Sequence, residues 1–146
     1  MPFDQLKLEN QICFPVYAAS RLITREYQPY LDQLGVTYPQ YLVLMVLWES
    51  DEISVNDISN KLILNTNTIT PLLKRMEKQG LLKRERSKTD ERKVIIYLTK
   101  KGFLLEQEAI VIPEKLSKFL LKGNVEIEDL IKLKEQLNMV INLLSK

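Results

Sequence analysis

The residue best equipped for chemistry in this sequence is Cys13, the single cysteine of a 146-residue chain, set among Ile12, Phe14, Val16 and Tyr17. A thiol attacks a peroxide oxygen as the thiolate, and the sulfenic acid that forms can go on to a disulfide, a sulfenamide or a higher oxide. Histidine, the usual partner of a reactive thiol, does not occur in the chain. Hydroxyl donors must substitute, because hydrogen bonds to a charged form favour that form. Tyr17 lies four residues on, one helical turn away on the same face. Against this stands a plainer role, since a free cysteine among apolar neighbours commonly packs as a small buried hydrophobe.

The same counts remove whole classes of function. With no histidine and one cysteine, the usual zinc ligands and the Ser-His-Asp and Cys-His arrangements are missing, and an internal disulfide is impossible. No cofactor or metal is expected. No apolar run approaches the ~20 residues of a membrane span, and the start MPFDQLKLENQ lacks the basic-then-apolar pattern of a signal peptide. The expectation is a cytoplasmic protein with no membrane partner, a setting that also keeps a lone thiol reduced. At 45% hydrophobic and 27% charged, residues 1–146 are expected to form a single domain.

Net charge hides an asymmetry. The whole chain carries +2, but between Lys74 and Lys101 eleven basic residues stand against four acidic ones, leaving +7 there and −5 elsewhere. A block of this kind is the electrostatic footprint of a phosphate-binding surface.

The elements that must carry these groups can be read from spacing. From Leu6 to Leu34, apolar residues at Leu8, Ile12, Val16, Ala19, Ile23 and Tyr27 recur at helical intervals. Pro15 predicts a kink or late helix start, and Pro29 a change of direction. Thr37, Tyr38 and Pro39 read as a helix entry leading into a buried run to Trp48. Ser54 with Asp57 opens a short helix through Leu62. Asn65, Thr66, Asn67 and Thr68 then supply the turn and cap for a helix whose core stripe is Ile69, Leu72, Leu73 and Met76, stopped at Gly80. The period next changes to that of strands at 81–87 and 93–98, joined by a charged tip. Thr99 caps a helix expected to run to Pro113, and a last helix spans about Ile127 to Leu144.

Helix, tight turn, helix and charged hairpin is the order of a winged helix-turn-helix, whose second helix enters the major groove. The fold class expected is therefore mainly α with a small β-hairpin wing. On it the candidate DNA-binding residues are Asn65, Thr66, Asn67, Thr68, Thr70, Lys74 and Arg75 of the second helix, with Arg84, Arg86, Lys88, Asp90 and Arg92 of the wing. Asp90 is expected to orient Arg92 by a charge-assisted hydrogen bond, the alternative being an ordinary exposed ion pair.

With these segments in view, the sequence resembles the MarR family of bacterial transcription regulators, in its organic-hydroperoxide-sensing OhrR branch. The match rests on KLENQICF at 7–14, VTYPQY at 36–41, ITPLLKRMEKQGL at 69–81 and DERKVIIYLT at 90–99. The resemblance implies a homodimer on a pseudo-palindromic operator, with dimerisation helices at 6–34 and 100–146 and a DNA-binding region at 37–99. It further implies that Arg92 reaches the minor groove, and that Tyr27 and Tyr38, with Tyr17 near enough to join them, hydrogen-bond the sulfur of Cys13.

The sequence departs from the family pattern at Asn65, Thr66 and Asn67, where Asp, Ser and Gly are expected, and at Pro15 in place of an aliphatic residue. Pro15 leaves two alternatives open: a helix that starts late enough to place Cys13 at its positive end, or a distorted pocket. Phe14, Val16 and Trp48 are candidates for apolar surroundings that favour an organic hydroperoxide as oxidant.

In that branch oxidation releases DNA. A single cysteine excludes the two-cysteine subtype's intersubunit disulfide, leaving a sulfenamide, an over-oxidised sulfur or a mixed disulfide with a low-molecular-weight thiol. An alternative reading keeps the DNA binding but makes the effector a small aromatic or phenolic ligand, with Cys13 structural. A thiol peroxidase is the reading from another class; the lack of a resolving cysteine and of histidine argues against it, so no enzyme activity is expected.

Overall fold

The computed structural model describes residues 3–145, and its architecture is seven helices around a small sheet. Two 3-10 turns, Asp4–Leu6 and Leu8–Asn10, lead into α1 (Cys13–Leu34). Then follow α2 (Tyr38–Glu49), β1 (Ile53–Ser54), α3 (Val55–Leu62), α4 (Thr66–Lys78), β2 (Leu82–Arg86), β3 (Val94–Leu98), α5 (Lys100–Ala109), α6 (Ile112–Leu120) and α7 (Ile127–Leu144).

Local chemistry accounts for most boundaries. Thr37 and Gln40 close a reciprocal capping box at the start of α2, with Pro39 in its first turn. The side chains of Ser54, Asn65 and Thr99 accept backbone N–H bonds at the starts of α3, α4 and α5. Gly35, at φ 72°, ends α1 in the left-handed conformation that favours glycine.

Three expectations are corrected. The first helix starts late, at Cys13, which is one of the outcomes Pro15 predicts, but it does not turn at Pro29: α1 runs through Pro29 without a break in its helical span. Pro15 falls in its first turn, where no N–H is needed. Pro29 and Arg25, whose carbonyl loses its helical donor, both lie on the exposed face, where solvent can serve that carbonyl. The sheet has three strands, in the order β1-β3-β2, because Ile53 and Ser54 pair antiparallel with Ile96 and Ile95 of β3. The helix begun at Thr99 stops at Ala109, and a separate α6 follows after the turn at Ile110 and Val111.

The core is centred on α2, apolar on nearly every side and buried at Tyr41, Val43, Leu44, Val46 and Leu47. Ile58, Ile69, Leu73, Met76, Leu82 and Ile96 close around it, each fully buried leucine or isoleucine contributing about 1.5–3 kcal/mol. α5 and α6 add Leu105, Ala109, Ile112 and Leu116. Gly102 lets α5 sit directly on the hairpin's base: a Cβ there would lie 2.1 Å from the Leu81 carbonyl oxygen. Trp48 Nε1 donates to the Gly102 carbonyl at 3.0 Å, tying α2 to the same turn.

The two ends of the chain are different. α7 buries no residue, and α1 buries only Leu31 and Leu34. Ile12, Phe14, Val16 and Leu22 at one end, and Ile131, Met139, Val140 and Leu144 at the other, all stand exposed.

Candidate nucleic-acid interface and thiol site

Part of the charged block meets at one groove. Thr66 and Thr70 of α4 share a groove of about 290 Å³ with Arg84, Arg92 and Lys93 of the wing and Asn56 of α3. Asn56 and Lys93 were not among the candidates read from sequence. Lys93 was legible as part of the basic block, whereas Asn56 reaches the groove only because α3 packs beside α4.

Asn65 has a structural task. Its Oδ1 accepts the Asn67 backbone N–H at 2.7 Å, capping α4 and leaving the exposed Thr66, Asn67 and Thr68 at the helix's leading end. The backbone N–H groups of Asn67, Thr68 and Ile69 all bond to Asn65, which leaves that of Thr66 open at this end. Lys74 and Arg75 are exposed further along α4, and with Lys88 at the wing tip they make no ion pair among the described residues.

The wing is pinned at three points. Asp90 Oδ1 accepts both the backbone N–H and the Nε of Arg92, each at 3.1 Å, while the Arg92 side chain remains 91% exposed. The pair is therefore a mount holding a solvent-facing guanidinium. Arg92 also holds the Asp90 carboxyl below the usual carboxylate range, through its side-chain and then its backbone hydrogen bond. Arg86 Nη1 donates to the Glu91 carbonyl at 2.8 Å, bracing the loop. Arg84, a candidate DNA-binding residue, lines the groove and is also engaged within the fold. Its backbone N–H and Nε bind Glu77 at 2.9 and 3.3 Å, fastening β2 to α4 and lowering the Glu77 carboxyl's proton affinity.

At the other end, Cys13 is exposed at the first position of α1. Of the two alternatives left by Pro15, the helix does start late and places the sulfur at its N-terminal end. Leu6, Leu8 and Phe14 line an open hollow of about 610 Å³ beside it. Tyr17 is exposed with the Arg21 guanidinium 4.7 Å over its ring.

Tyr27 and Tyr38 do come together, at 4.9 Å between ring centroids, with Tyr41 at 5.9 and 6.2 Å from them. Burial, then the neighbouring phenols Tyr38 and Tyr41, push the Tyr27 hydroxyl up to about 12, and burial raises Tyr38 as well. Both are therefore O–H donors at neutral pH, and neither hydroxyl has a partner among the described residues. The structure does not bring them to the sulfur of their own chain, since Tyr27 lies about 21 Å along the helix axis from Cys13. Trp48, offered as a neighbour of the thiol, packs edge-on against Tyr41 at 6.3 Å instead.

A family model described as Transcriptional regulator SarA/Rot matches residues 25–108. The organic hydroperoxide resistance transcriptional regulator of Bacillus subtilis (strain 168) is 53% identical over 111 residues, 76% of each chain. Among solved structures, reduced AbfR bound to DNA is 38% identical, covers 100% of both chains and superposes with a TM-score of 0.80. Overoxidised AbfR bound to DNA gives 0.77 at 38% identity, covering 99% of this chain and 100% of its own. Disulfide-formed AbfR gives 0.65 at 39% identity, covering 98% and 96%; AbfR has also been solved as the protein of Staphylococcus epidermidis. A charged wing on a three-stranded sheet, a recognition helix with an open leading end and this degree of identity lead to one assignment: the chain belongs to the MarR family of transcriptional regulators, in its organic-hydroperoxide-resistance branch.

Proposed function

We propose that the chain is a homodimeric, cytoplasmic repressor that holds a pseudo-palindromic operator while Cys13 is reduced and releases it once an organic hydroperoxide has oxidised that sulfur. The observation that carries this reading is the placement of Cys13: an exposed thiol at the start of a helix that leaves Phe14, Val16 and Leu22 exposed, with Tyr27, whose hydroxyl has no partner among the described residues, about 21 Å away. Within residues 6–34 and 100–146, α1, α5, α6 and α7 supply the dimerisation helices. A second copy covers their exposed apolar side chains and brings its Tyr27 and Tyr38 to the first copy's sulfur. Residues 37–99 form the reading head, with the leading end of α4 in the major groove and Arg92 at the wing in the minor groove.

The chemistry balances without a cofactor. The Cys13 thiolate attacks the terminal peroxide oxygen, the O–O bond breaks, and the alkoxide leaves as an alcohol after protonation. The resulting sulfenic acid condenses with a low-molecular-weight thiol, forming an S–S bond and water. AbfR is found on DNA both reduced and overoxidised, and its disulfide form superposes less well on this chain than either. We therefore assign release to the mixed disulfide rather than to a sulfinic or sulfonic acid. The event is a single stoichiometric oxidation, not turnover.

The test measures operator binding by protein treated with cumene hydroperoxide alone or with cumene hydroperoxide and a small thiol, beside mass spectrometry of Cys13. Release that tracks the thiol adduct supports the reading. Undiminished binding by fully adducted protein overturns it.

A further inference from the structure

A redox signal at the thiol site has to reach α4, and one buried carboxamide bonds the first turn of α2 to the end of α4. Gln40 is 4% exposed, in the first turn of α2 between Tyr38 and Tyr41. Its Oε1 accepts the Thr37 backbone N–H at 3.1 Å, and its Nε2 donates to Gln79 Oε1 at 2.9 Å. Gln79 is the residue that ends α4, and its own Nε2 donates to the Gly35 carbonyl at 3.2 Å. Lys101 Nζ donates to the Gln79 backbone carbonyl at 2.8 Å, bringing in α5. Two side-chain amides thus join the end of α1, the first turn of α2 and the end of the recognition helix.

Resting on the redox reading above, we propose that Gln40 and Gln79 are positioning residues that transmit the displacement of Tyr38 to α4. Tyr38 and Gln40 share the first turn of α2, so a displacement of the phenol that carries this turn's backbone carries the carboxamide with it. The carboxamide cannot follow alone, because breaking its bond to Gln79 strands a buried donor. Dragging α4 by its C-terminal end preserves the bond and tilts the helix whose leading end meets the bases. α2 and α4 then move as a unit, which is the two-state element that a coupling argument requires.

The contact with Gln79 is directional, and this supplies the test. Gln79→Leu removes the acceptor for Gln40 and the donor to Gly35; Gln79→Glu keeps the acceptor and loses only the donor. Gln79 is exposed, so both variants are expected to fold. Operator Kd is measured for wild type and each variant, reduced and after cumene hydroperoxide with a small thiol, with the extent of Cys13 modification determined by mass spectrometry. In the reduced state both variants are expected to bind within about threefold of wild type, and all three to be modified equally. The oxidised-to-reduced Kd ratio is expected to fall at least tenfold in Gln79→Leu and to return most of the way in Gln79→Glu. A Gln79→Leu protein with the wild-type ratio overturns the relay alone. Loss of operator binding by reduced Gln79→Leu also overturns it, since the contact then serves the fold rather than the signal. A wild-type ratio of one, with Cys13 fully modified, overturns the redox reading and the relay with it.

Discussion

Cys13 and Tyr27 stand fourteen residues apart on one unbroken helix, so about 21 Å of helix axis separates the exposed sulfur from the half-buried phenol. Bending cannot close such a gap in a 22-residue helix whose only interior proline lies beyond Tyr27, at Pro29. If the two groups work together they do so between copies.

Mixed dimers test this arrangement. Pairing a Cys13→Ser chain with a chain carrying Tyr27→Phe and Tyr38→Phe leaves one complete site if sulfur and phenols meet across the dimer, and none if they meet within a chain. The Cys13 of the mixed dimer is expected to be oxidised by cumene hydroperoxide at close to the wild-type rate, several-fold faster than in the Tyr27→Phe, Tyr38→Phe homodimer. Time-resolved mass spectrometry of the labelled chain reads the difference.

Alkali should attack the tyrosine cluster. The fold favours the neutral phenol of Tyr27, whose titration is raised from 10 to about 12, chiefly by burial. Its contribution to stability is therefore complete below pH 10 and is lost as pH rises through about 12. Denaturant unfolding followed from pH 8 to 12 is expected to show stability falling above pH 10. Tyr27→Phe is expected to flatten that fall, and phenolate absorbance is expected to report a late-titrating tyrosine that the variant lacks.

Arg92 and Asp90 should separate in their effects on DNA. Arg92→Ala is expected to weaken operator binding across sequences and to reduce the slope of log K against log salt by about 1. Asp90→Ala keeps the positive charge but frees the guanidinium from its two contacts with the carboxylate, and the Arg92 backbone N–H from a third. It is expected to weaken binding less and to leave the slope near the wild-type value. Fluorescence anisotropy across a salt series distinguishes them.

Ile63 is held against its own preference. This exposed, β-branched residue ends α3 at φ 54°, ψ 44°, a left-handed conformation that costs an L-residue roughly 1–2 kcal/mol. Ile63→Asn, which tolerates that region better, is expected to raise stability by about 1 kcal/mol in urea unfolding with the operator affinity unchanged.

What could be read from sequence follows from how local its cause is. The caps at Thr37, Ser54, Asn65 and Thr99 each bond a backbone N–H two or three residues away, so the pattern of residue types gave them directly. The Asp90–Arg92 mount spans two residues and was equally visible. β1 was not, because a two-residue strand has no periodicity and exists only through its pairing with Ile95 and Ile96. Pro29 misled because a proline's effect depends on which helix face it occupies, and the exposed face tolerates it. Arg84 looked like its basic neighbours until the fold placed Glu77 beside it. The Gln40–Gln79 bond spans 39 residues and leaves no local signature. For the thiol site the chemistry was legible in the residue types, but the distance between sulfur and phenols required the unbroken length of α1.

The most direct test of the account compares wild type with Cys13→Ser on an inverted-repeat operator, before and after cumene hydroperoxide with a small thiol. The account predicts that both bind equally when reduced, that wild type releases in proportion to the modified fraction of Cys13, and that the serine variant stays bound. Release of the serine variant at the wild-type oxidant dose would contradict it.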